Sequence, residues 1–80
     1  MATFLLCHTH ESGECRFAYA AWKGFKSPLR HRPALANCAS GGHRLWWRVE
    51  APDPAAALAQ LPAFVADRTE VVEVGEVPIP

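Results

Sequence analysis

Six of the seven cysteine and histidine side chains in this sequence are candidates for one cluster of soft or borderline donor atoms: Cys7, His8, His10, Cys15, Cys38 and His43. Thiolate and neutral imidazole together suit Zn²⁺, Cu⁺ or Ni²⁺ rather than the oxygen-seeking Ca²⁺ or Mg²⁺. His8 and His10 stand two residues apart, so an extended backbone presents both imidazoles on one side. Cys15 falls in the first turn of an expected helix, where the helix N-terminus favours the thiolate that a metal needs. His43 lies at the far side of a Gly-Gly turn and completes the expected ligand set His8, His10, Cys15 and His43. Cys7 and Cys38 are either further ligands or small buried hydrophobes. There is no Cys-x-x-Cys and no His-x-x-x-His, so the expectation rests on convergence in the fold. The same groups have a metal-free reading. Cys15 beside His8 or His43 has the parts of an activated thiolate, with Glu11 or Glu14 as orienter, and His8 and His43 can act as an acid and base pair.

The elements that must position these groups are short. Thr3–Thr9 reads as a central strand with apolar residues on both sides. Ser12 is a plausible N-cap, and Cys15, Ala18, Trp22 and Phe25 recur at helical spacing until Gly24–Ser27 and Pro28 end the stripe. Residues 26–33 form a loop with two prolines. A hairpin then turns at Gly41-Gly42, a pair suited to a type I′ turn, which sets Ser40 opposite His43, Cys38 opposite Leu45 and Ala36 opposite Trp47. Strand alternation puts Cys38, Ser40, His43, Leu45, Trp47 and Val49 on the core face, with Arg44, Trp46, Arg48 and Glu50 on the other. Asp53-Pro54 starts a second helix, Pro62 breaks or restarts it, and Val71–Val77 is the last strand.

This order is one α+β domain over residues 1–80, a ferredoxin-like βαββαβ unit with antiparallel sheet order 4-1-3-2 and two helices on one face. Such a sheet gathers all six donor residues at one edge and leaves His31 at the other. Leu58-x-x-Leu61-Pro62, followed by an extended run to Val77-Pro78-Ile79, resembles the C-terminal third of the muconolactone isomerase family within the dimeric α+β barrel superfamily. The likeness covers residues 53–79. It implies two ferredoxin-like sheets facing each other in a homodimer, and an isomerase-like or monooxygenase-like enzyme acting on a small organic molecule with the same histidines as acid and base. The topology and histidine content also resemble small bacterial metal-binding proteins of ferredoxin-like fold.

Composition narrows the classes. Eight basic and eight acidic side chains cancel, so no global field draws the chain to nucleic acid or an anionic membrane. Lys23, Lys26, Arg30 and Arg32 nevertheless crowd one segment, either as a solvated loop or as a surface for an anion. The first residues lack a basic n-region, no run is long enough to span a bilayer, and three cysteines make an odd set, all of which points to the reducing cytoplasm. Fourteen alanines leave an eighty-residue chain with a thin core, which a homodimer would supplement. Trp22 and Trp47 are expected to fill that core, while Trp46 between Arg44 and Arg48 is the expected dimer anchor.

Overall fold

The computed structural model describes residues 1–80 as an α+β fold built on a four-stranded antiparallel sheet. Strand β1 is Ala2–Thr9, helix α1 Cys15–Ala20, strand β2 Leu35–Ala36 and strand β3 Arg44–Ala51. Helices α2 (Pro54–Leu58) and α3 (Ala63–Ala66) and strand β4 (Thr69–Val74) follow. The spatial order β2-β3-β1-β4 is the expected order read from the other edge. β1 pairs with both long neighbours, Leu6 opposite Trp47 and Val71, His8 opposite Leu45 and Thr69. It is therefore the central strand that its two-sided hydrophobicity predicts.

Alternation along β1 and β3 sends Phe4, Leu6, His8, Trp47, Val49 and Ala51 into the core, where Leu29, Ala57, Leu61 and Val65 cover them. The helices that do the covering are brief. Asp53 caps α2 by accepting the Ala56 N–H at 2.8 Å, with Pro54 in the first turn. Pro62 supplies no N–H of its own, and its carbonyl accepts the Ala66 N–H at 2.8 Å, so α3 restarts there as expected.

Three local expectations are corrected. The first helix is only six residues long, preceded by a 3-10 turn at Ser12–Glu14. Glu11, not Ser12, is the cap: its side chain accepts from the Glu14 backbone while Glu14 Oε1 accepts the Glu11 N–H at 2.9 Å, a reciprocal capping box. The last strand, expected over Val71–Val77, is Thr69–Val74: it starts two residues early because Thr9 N–H already bonds the Arg68 carbonyl at 3.1 Å and draws Thr69 into the ladder, and its pairing with β1 ends at Val74 opposite Thr3.

The third correction is the hairpin. Ala36 pairs with Leu45 rather than Trp47, a shift of two residues that keeps the faces but lengthens the loop. Asn37 is the cause. Its carbonyl accepts from Ser40 and Gly42, its side-chain Oδ1 accepts the Arg44 N–H at 3.0 Å, and Cys38–Ser40 winds into a 3-10 turn. Of the two glycines only Gly41 has positive φ, at 84°, and a Cβ on Gly42 would collide with the Asn37 amide. The Gly-Gly pair therefore serves one left-handed residue and one close approach, not a type I′ turn.

Candidate metal centre

The site begins where β1 runs out. His10 lies just past the strand, and its N–H donates to the His43 carbonyl at 3.0 Å. That single backbone bond fastens the residue after β1 to the residue before β3 and sets the two imidazoles 5.6 Å apart, centroid to centroid. Cys15, the first residue of α1, reaches the same space. Its Sγ lies 3.3 Å from His10 Nε2 and 3.2 Å from His43 Nδ1. Donor atoms of His10, Cys15 and His43 all fall within 4.8 Å of one another. A tetrahedral Zn²⁺ bound at about 2.3 Å from sulfur and about 2.0 Å from nitrogen holds its ligand atoms roughly 3.3–3.6 Å apart. The two sulfur–nitrogen distances already lie near that spacing, and the third separation, between the two imidazoles' donor atoms, is no more than 4.8 Å.

His8 occupies a different place from its three partners. It has no exposed surface, and both ring nitrogens are engaged: Nε2 is 2.9 Å from His10 Nδ1, and Nδ1 is 3.2 Å from both the Val65 carbonyl and Thr69 Oγ1. The Thr69 hydroxyl donates its hydrogen to that same carbonyl at 2.6 Å. Toward His8, then, both neighbours are acceptors, so Nδ1 carries the proton and donates it. Burial pushes the His8 pKa down, helped by His10 and Arg68 and opposed by the Val65 hydrogen bond. In the neutral ring Nε2 is an acceptor, and His10 Nδ1–H is its donor. His10 is left with a bare Nε2 facing Cys15, the tautomer a metal ligand requires.

The support extends to the 3-10 turn that leads into Cys15. Arg68 donates to Glu14 Oε2 from Nε at 3.1 Å and lies within 3.0 Å through its terminal nitrogen. Its guanidinium also lies over the Phe64 ring, 3.7 Å from the centroid, and donates to the Phe64 carbonyl at 3.0 Å. The Glu11 N–H and then Arg68 hold the Glu14 carboxyl below its usual range. Glu14 therefore anchors the start of α1 to α3 and does not orient the thiol, which corrects that expectation.

Among the other donors, Cys7 sits on the uncovered face of the sheet, paired with Trp46 and Glu70. Cys38 is exposed in the reshaped hairpin loop, 3.8 Å from the Tyr19 hydroxyl. The sheet does not gather all three thiols; Cys15 alone joins the imidazoles. His31 lies away from the group on the basic loop, with φ 67°.

Thr69, the Val65 carbonyl and the Arg68–Glu14 pair are the residues that sequence reading misses. The spacing Glu11-x-x-Glu14 is a visible capping signal, but nothing local marks Thr69 as the partner of a histidine 61 positions away. Comparison with family models, curated proteins and solved structures finds no match to the chain.

Proposed function

We propose that this protein binds one transition-metal ion, most suitably Zn²⁺, through His10 Nε2, Cys15 Sγ and His43 Nδ1. The observation that carries the reading is the convergence of these three donors from three separate elements, with His8 fixing the His10 tautomer from behind. One thiolate and two neutral imidazoles give a singly negative ligand set for a borderline cation, and three protein ligands leave a fourth position for water or another molecule. Metal analysis of the protein purified without a histidine tag tests it. One ion per chain is expected, lost in H10A, C15A and H43A. A metal-free protein that takes up no Zn²⁺ would overturn the reading.

The strand order and the position of the helices support reading the domain as ferredoxin-like. Leu5, Cys7, Trp46, Val72 and Val74 share the sheet face that no helix covers. The Arg44 guanidinium lies 5.5 Å from the Trp46 ring centroid on that face. We read it as the contact of a homodimer joined sheet to sheet, the arrangement implied by the likeness to dimeric α+β barrels.

A further inference from the structure

On the helix side of the sheet, at the β2 edge, a groove of about 510 Å³ runs between α1, the loop 29–32 and the β2–β3 hairpin. That volume is ample for a small organic ligand. Its walls are aromatic, Tyr19, Trp22 and Trp47, with the two indole rings 5.8 Å apart. Its rim is cationic, formed by Lys23, Arg30 and Arg32. None of these three has a carboxylate within ion-pair distance, and no acidic residue lines the groove. A rim of like charge around an apolar floor is electrostatically unfinished; an anion carried on a flat apolar body would finish it.

The rim would grip an anion through its side chains. The Arg30 and Arg32 N–H groups are already donated to the Ser27 and Leu29 carbonyls, so those two backbone donors do not face a ligand. What remains is guanidinium, whose planar fork pairs bidentately with a carboxylate or a phosphate. His31, between the two arginines, is held at φ 67°, a conformation with a steric cost for any residue bearing a Cβ. We propose that the groove binds an aromatic oxyanion such as an aromatic carboxylate, its ring against Trp22 and Trp47 and its charge between Arg30 and Arg32. The site is separate from the metal group, although Tyr19 lies one helical turn beyond Cys15 and Leu45 two residues beyond His43.

The test is a titration of the full chain with 1-naphthoate, followed through the three tryptophan indole N–H signals by NMR, in metal-free and in Zn²⁺-loaded protein. Saturable shifts of Trp22 and Trp47 with Trp46 unmoved are expected in both forms. Binding of the neutral 1-naphthalenemethanol should be at least tenfold weaker. R30Q/R32Q, at one half-buried and one exposed position and checked for folding by the same spectra, should lose at least fivefold for naphthoate and nothing for the alcohol. A36W, which fills the groove, should abolish the Trp22 shift. Absence of a saturable shift, movement of Trp46 instead, equal affinity for the alcohol, or an unaffected R30Q/R32Q protein would each overturn the proposal. Failure in the metal-free and loaded forms alike would leave the metal reading intact, since that reading is tested by stoichiometry and not by naphthoate.

Discussion

His8 and His10 differ in sequence only by two positions, yet depth separates their work. His8 lies within β1, under Val65 and Thr69, where each ring nitrogen meets a protein partner. His10 lies beyond the strand end, where Nε2 meets a thiol. Replacing a ligand should therefore differ from replacing its support. H10A, C15A or H43A should lower Zn²⁺ affinity on the order of a hundredfold or more, whereas H8A should keep one ion per chain and weaken it by about 10–100-fold, as loss of a ligand's orienting partner does. Competition titration against a chromophoric chelator reads both. His8 also makes a pH prediction for the metal-free protein. Its pKa is lowered in the fold, so between that value and the unfolded value near 6.5 the unfolded chain binds more protons. The stability contributed by keeping His8 neutral is complete above about pH 6.5 and is lost as pH falls through the depressed value. Urea midpoints measured across pH 5–8 (roughly the histidine range) should fall on the acid side in the parent, with a smaller slope in H8A. The i, i+2 spacing makes the pair visible in sequence. Which histidine faces a metal is invisible there, because Val65 and Thr69 arrive from the opposite end of the chain.

Short elements place the site, and their caps are where sequence spoke most plainly. Asp53-Pro54 reads as a helix start and is one; D53A should cost about 1 kcal/mol in urea unfolding and leave Zn²⁺ affinity unchanged, since no hydrogen bond ties α2 to His10, Cys15 or His43. The hairpin was less legible. Gly-Gly advertises a two-residue turn, but Asn37 has both a carbonyl and an amide in position to bond the loop, and those bonds win over the shorter connection. The consequence reaches the site: Cys38 moves out to solvent while His43 stays fastened to His10. Because a Cβ at Gly42 meets the Asn37 side chain, G42A should cost about 1–3 kcal/mol and also weaken Zn²⁺ binding by displacing His43. An equal loss of stability with unaltered affinity would show that the loop does not position that ligand.

At the scale of the molecule, eighty residues supply one covered sheet face and one open face. The covered face was largely readable from alternation: Phe4, Leu6, Trp47 and Val49 all go where period-two patterning sends them. The single-edge gathering of cysteines was not, because Cys7 points through the sheet to the other side and the hairpin loop carries Cys38 away. The open face predicts assembly. The native mass should be twice that of the chain, and W46E or V72K, which put charge among Leu5, Trp46 and Val74, should yield monomers in sedimentation equilibrium with the Zn²⁺ site intact. A monomeric parent protein would remove the dimer from this account without touching the metal group. No helix is long and apolar enough to cross a membrane.

The most direct test of the metal centre is a Co²⁺ titration of the tag-free, metal-stripped protein followed by absorbance. Tetrahedral coordination by one thiolate and two imidazoles predicts intense visible d–d bands and a near-ultraviolet thiolate-to-Co²⁺ charge-transfer band. Both should saturate at one ion per chain and be reversed by Zn²⁺, with the charge-transfer band absent in C15A. Weak octahedral bands only, or a charge-transfer band unchanged in C15A, would contradict the assignment of Cys15, His10 and His43 as the ligands.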